Sequence, residues 1–98
     1  MVTYEAVARF QREFAKLTAA QKKLCRAASR EFAEDLRRHP GKFRPSLRVK
    51  RVAGAAGIYE MTWAPDGRCT FEYGPEVRPG EAHIIWRRCG THSIFQQP

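Results

Sequence analysis

The stretch that decides the fold is Ile58-Tyr59-Glu60-Met61-Thr62-Trp63-Ala64-Pro65-Asp66-Gly67-Arg68-Cys69-Thr70-Phe71-Glu72-Tyr73. Side chains alternate across a strand, so Tyr59, Met61 and Trp63 share one face of a first strand, and Cys69, Phe71 and Tyr73 one face of a second. Pro65-Asp66-Gly67 between them is a strong hairpin signal, because proline presets one turn dihedral and glycine relaxes another. Downstream, Pro75 to Gly80 reads as a longer loop. Ala82–Cys89 is then the last long strand, broken by Gly90 before His92 and Phe95. Upstream, Gly54-Ala55-Ala56-Gly57 is a turn. Before it, Leu47 and Val49 alternate with Arg48 and Lys50, which predicts a strand over Leu47–Val52 with one basic face.

The first half of the chain has a different period. After a short strand at Val2–Tyr4, Val7, Phe10, Phe14 and Leu17 recur at steps of three and four, the apolar face of a helix over about residues 5–16. Thr18 followed by Gln21 is a capping-box pattern, so a second helix starts at Ala19. Leu24, Ala28, Phe32 and Leu36 form its buried stripe, and His39-Pro40-Gly41 stops it. The expectation is an α+β fold: an N-terminal antiparallel helix hairpin packed on a three- to four-stranded antiparallel sheet. No repeat or linker divides the chain, so residues 1–98 form a single domain.

Charge is the most informative bulk property. Residues 1–50 carry 13 basic and 5 acidic side chains, whereas residues 51–98 carry 5 of each. From Arg37 to Arg51 there are seven basic residues and no acidic one. A field of this sign steers polyanions, and each phosphate it neutralises releases counterions. A nucleic-acid or ribosomal surface is the natural partner. No apolar run is long enough for a membrane span and the first residues lack the order of a signal peptide, so a soluble, cytoplasmic protein is expected. Cys25, Cys69 and Cys89 are odd in number and far apart, with no CxxC pair; they read as small buried hydrophobes, and no metal site is expected.

Several chemistries find no support. There is no glycine-rich phosphate loop, dinucleotide fingerprint, HExxH or GxSxG, and no cofactor is expected. The second half instead offers Arg48, Lys50, Arg51, Arg68, Arg87 and Arg88 with His83 and His92. Metal-free RNA cleavage needs a group to take the 2′-hydroxyl proton, cations to stabilise the phosphoryl charge, and an acid to protonate the departing 5′-oxygen. Arginines and one imidazole meet most of that list, although any basic RNA-binding sheet would look similar.

The order of elements and the phrase Trp86-Arg87-Arg88-Cys89-Gly90-Thr91-His92-Ser93-Ile94-Phe95 narrow the choice. With the helix hairpin, the basic strand, Gly57-Ile58-Tyr59-Glu60 and Asp66-Gly67-Arg68, the chain resembles the RelE/ParE superfamily of type II toxins, and looks most like its YafQ branch. The resemblance implies an endoribonuclease that cuts messenger RNA, commonly in the ribosomal A site, and a cognate antitoxin protein that silences it. It places His92 on the C-terminal catalytic histidine, as general acid, and Phe95 on a base-holding aromatic. Asp66 falls on the hairpin acid, Arg68 on the arginine that binds the scissile phosphate, and Arg88 on the basic position of the last strand. Arg48 and Lys50, with Arg51 and Arg87 nearby, correspond to the basic face toward RNA. The chain departs from the branch where further histidines are expected: Thr62 stands in the hairpin and Arg48 upstream. Glu60 and Asp66 are therefore the candidates for general base. His83 and His39 read as structural. Two other classes remain: a ParE-like poison of DNA gyrase, against which the Gly-Thr-His phrase argues, and a non-catalytic RNA- or ribosome-binding module.

Overall fold

The structure, a computed structural model, describes residues 2–39 and 41–98. The elements run in the order β1 (Thr3–Ala6), α1 (Ala8–Ala15), α2 (Ala19–Arg38), a 3-10 turn at Pro45–Leu47, β2 (Lys50–Arg51), β3 (Tyr59–Ala64), β4 (Gly67–Gly74), β5 (His83–Gly90) and a 3-10 turn at His92–Gln96. The α+β class is as expected, but the sheet differs. It has five strands in the order β1-β5-β4-β3-β2, and it is mixed. Strands β2 to β5 are antiparallel, whereas β1 joins the edge parallel to β5, with Thr3 opposite His83 and Ala6 opposite Trp86. Short-range patterning cannot report that pairing, because its two strands are separated by nearly the whole chain.

The expected basic strand over Leu47–Val52 is also corrected. Leu47 ends the 3-10 turn and is buried, Arg48 takes a left-handed backbone (φ 47°), and only Lys50–Arg51 pair with β3. A left-handed residue cannot continue a pleated strand, so the alternation of Leu47 and Val49 reflects two local turns rather than one strand.

Helix α2 begins as the capping box requires: the Gln21 amide donates to Thr18 Oγ1 at 3.1 Å and the Thr18 amide to Gln21 Oε1 at 2.9 Å. It ends at Arg38; Pro40, part of the expected stop, lies outside the described residues. Its buried stripe is Cys25, Ala28, Phe32 and Leu36, whereas Leu24 is 49% exposed. A three-residue step from Cys25 to Ala28 fits the helical face as well as the four-residue step from Leu24. Helix α1 lies on β5 and α2 on β3, and the helices meet where the Arg26 guanidinium sits 5.1 Å from the Phe14 ring centre. No helix among the described residues is long and apolar enough to cross a membrane.

The core lies between α2 and one face of the sheet. Phe32 packs edge-on against Phe71 at 4.8 Å and Trp86 at 5.2 Å, with Met61, Trp63, Ile84 and the three cysteines around them. Burying such aromatic rings contributes several kcal/mol in area alone, on the order of 25 cal/mol per Å2. At the hairpin, Ala64 pairs with Gly67 around Pro65-Asp66, after a bulge that follows Thr62. Gly67 is required for space: a Cβ there would lie 2.5 Å from the Trp63 ring.

Candidate nucleic-acid interface

The strands that point their apolar residues at α2 turn their polar ones the other way. Register places Lys50 opposite Glu60, Glu60 opposite Thr70, and Thr70 opposite Arg88, a row that crosses four strands on the face away from the core. The next row toward the hairpin holds Thr62, Arg68 and Gly90. Since β5 ends at Gly90, the chain turns there and delivers His92 beside the hairpin tip. The His92 amide reaches Asp66 Oδ1 at 3.4 Å, and the imidazole stands edge-on to Phe95 at 4.8 Å. Asp66, Arg68, His92 and Phe95, far apart in sequence, thus gather at one end of the sheet.

The condition of each side chain separates possible reactive groups from braced ones. His92 is exposed, and neither of its ring nitrogens is hydrogen-bonded among the described residues. Glu60 is only 8% exposed and its carboxylate has no hydrogen bond or ion pair among the described residues. Arg68 is partly tied: its Nη1 donates to the carbonyls of Ala64, Pro65 and Gly67 at 3.1, 3.3 and 2.9 Å, clasping the turn. It also lines a cleft of about 370 Å3 on the side of α2, with Leu24 and Glu31 of that helix and with Arg48, Thr62 and Trp63. The Trp63 indole N–H, buried and without a partner among the described residues, belongs to the same wall.

The two arginines of β5 are braced more firmly. Arg87 donates to Glu72 at 2.7 Å and to Pro98 O at 3.2 Å. Arg88 grips Glu13 of α1 with three bonds between 2.6 and 3.1 Å, and also donates to Gln97 O at 2.8 Å. Glu13 in turn accepts the Cys89 amide at 3.2 Å, on the side of β5 that β1 leaves unpaired beyond Trp86. Burial pushes the Glu13 carboxyl up, but the Arg88 guanidinium and the Cys89 amide outweigh it and hold it below the usual range. Residues 97 and 98 cross this end of the face, since Thr70 Oγ1 also donates to Pro98 O at 3.1 Å. Lys50, Arg51 and Arg48 are exposed along the far edge.

His83, read from sequence as structural, is buried at the start of β5. Its Nδ1 lies 2.7 Å from the Thr3 hydroxyl and its Nε2 donates to Glu5 at 2.8 Å, so both nitrogens serve the β1–β5 seam. Glu13 is the residue sequence reading did not single out. Its place on the wet side of a short amphipathic helix carries no sign of which strand edge it will seal.

The class of fold these elements define is that of the RelE/ParE-type toxins of toxin–antitoxin systems. The toxin YafQ in the E. coli DinJ-YafQ complex superposes with a TM-score of 0.63 at 14% identity, covering 94% of this chain and 93% of that one. The YoeB/ParE toxin from Agrobacterium tumefaciens gives 0.67 at 13% identity, with 93% and 99% covered. YoeB from Staphylococcus aureus, a dimer, gives 0.63 at 12% identity, with 93% and 97% covered. No protein-family model matches the sequence, and no curated protein is significantly similar to it.

Proposed function

We propose that the protein is the toxin of a type II toxin–antitoxin pair and cleaves messenger RNA in the ribosomal A site. The observation that carries this reading is the gathering of an exposed His92 with Asp66, Arg68 and Phe95 at one end of the sheet. In the reaction, the ribose 2′-oxygen attacks the adjacent phosphate, Arg68 and the neighbouring basic groups steady the charge on the phosphoryl, and protonated His92 gives its proton to the departing 5′-oxygen. The products are a cyclic phosphate and a free 5′-hydroxyl. This chemistry calls for no metal ion. Glu60, largely buried and without a partner among the described residues, is the better placed carboxylate to take the 2′-proton, because Asp66 is exposed and already accepts the His92 amide. Phe95 offers an aromatic ring on which a base can stack. Arg88 and Arg87, neutralised by Glu13 and Glu72, act as braces of this end, and Arg48, Lys50 and Arg51 supply the surrounding positive field. A cognate antitoxin would cover this basic face, and the exposed cations there would meet its acidic side chains.

Primer extension on a reporter messenger RNA in a translating extract tests the proposal, with wild type beside His92→Ala and His92→Gln and with naked RNA as control. Codon-phased cuts that need ribosomes and vanish in both variants are expected. Cuts in naked RNA would keep the nuclease and remove the ribosome. Full activity in both variants would remove His92 from the chemistry, and no cuts in any arm would turn the question to gyrase supercoiling.

A further inference from the structure

The three cysteines, distant in sequence, converge in the core at a point the nuclease chemistry does not use. Cys69 and Cys89 are directly opposite each other on β4 and β5, and Cys25 of α2 comes down onto the pair. The Cys25 sulfur is 3.8 Å from that of Cys69 and 3.9 Å from that of Cys89, and all three sulfurs lie within 4.8 Å of one another. We propose that Cys25, Cys69 and Cys89 form a three-thiolate site for one soft metal ion, and that monovalent copper is the ion it fits best.

Two lines of geometry support this. A metal–sulfur bond of about 2.3 Å sets the sulfurs of one coordination sphere about 3.8 to 4.0 Å apart; the two pairs that include Cys25 have that spacing, and the third pair lies within 4.8 Å. The number of donors then selects the ion. Zinc takes four ligands in a closed structural site, and no fourth His, Cys, Asp or Glu joins the cluster among the described residues. A purely thiolate set without nitrogen or oxygen donors favours a soft, low-coordinate cation, and monovalent copper accepts three sulfurs.

The site also has an access route. Cys25 forms part of the wall of a cavity of about 420 Å3 between the helices and the β1–β5 edge, with Phe10, Phe14, Ser29 and Phe32. The exposed Tyr4, Arg26 and Arg30 at its rim open it to solvent. Ion uptake exchanges S–H bonds for S–metal bonds, releases up to three protons to solvent, and leaves the oxidation state of copper and sulfur unchanged.

The test is anaerobic titration of the whole reduced chain with monovalent copper against the chelator bicinchoninate, followed by X-ray absorption at the copper edge. The expected result is one ion per chain, three sulfur neighbours at about 2.3 Å, and a rise in thermal midpoint on loading. Cys25→Ser, at the cavity wall, should lower affinity on the order of 100-fold or more, with circular dichroism checking its fold; Cys89→Ser provides a second variant. Failure of the folded wild type to take up one equivalent would overturn the proposal, as would unchanged affinity in a folded Cys25→Ser. A parallel zinc titration that outcompetes copper at the same thiols would overturn the choice of ion.

Discussion

The two ends of β5 each present a histidine, and they treat it in opposite ways. At the start, His83 is buried with both nitrogens engaged by Thr3 and Glu5, so its imidazole is a rivet between the last strand and the first. Just beyond the other end, His92 is exposed, stands nearly perpendicular to the Phe95 ring, and has no hydrogen bond to either ring nitrogen among the described residues. A buried imidazole with two partners cannot exchange a proton without breaking a hydrogen bond, whereas an exposed, unbound one can. Residue type is the same at both positions; availability differs. The comparison teaches that the candidate site at this end of the sheet is marked by what its groups lack.

The strongest way to break the comparison is to exchange the outcomes of losing each histidine. His92→Gln should lower cleavage on the order of 100- to 10,000-fold while leaving the denaturant midpoint within about 0.5 kcal/mol of wild type. Loss of stability without loss of cleavage would reverse its role. Next in size is the brace beside it. Arg88→Ala leaves the partly buried Glu13 without its cation and should destabilise by about 3 kcal/mol; the Glu13→Ala, Arg88→Ala cycle in urea measures how much of that is coupling. Near-zero coupling would mean that this end is held by something other than the ion pair.

His83→Ala should cost about 2 kcal/mol, since it strands the Thr3 hydroxyl and opens the β1 edge, with amide exchange accelerating in Thr3–Ala6 and not in β4. Protection kept in β1 would show that the rivet is dispensable. The smallest effect concerns acid. Glu13 is held below its ordinary value of 4.5, and Asp35, hydrogen-bonded by Arg44, is held at about 2 against an ordinary 3.8. Depressed carboxyl values contribute stability that is complete above the ordinary value and lost as pH falls through the folded one. Urea midpoints should therefore decline steadily from pH 5 toward pH 2, and Glu13→Gln should flatten only the upper part of that decline.

Local chemistry explains which parts of this molecule were legible in its sequence. The capping box at Thr18 and the alternation from Tyr59 to Tyr73 act over a few residues, and both appear in the structure as read. Gly67 was legible as punctuation, but its physical reason is clearance for the Trp63 ring. The parallel β1–β5 pairing and the seal of Glu13 on β5 depend on segments some 75 to 80 residues apart, which no local period encodes. The cysteine cluster was hidden for the same reason: spacing along the chain does not report convergence of a helix and two strands. At the candidate site, Asp66 lies against the His92 amide, and Arg68 pairs with Gly90 two residues before His92. That Arg88 is bound up with Glu13, and that Glu60 has no partner among the described residues, needed the tertiary contacts.

The parallel edge has a bearing on how the chain comes into being. Thr3 finds its partner in His83, 80 residues later, so the first strand made is among the last to be satisfied. Closing so long a loop is entropically costly and slow compared with forming the β3–β4 hairpin. During synthesis the helices and the hairpin can assemble while β1 waits as an open edge, and the group of residues around His92 cannot exist until β5 has been laid down beside β4. Completion of the fold and completion of the candidate site are thereby one late event.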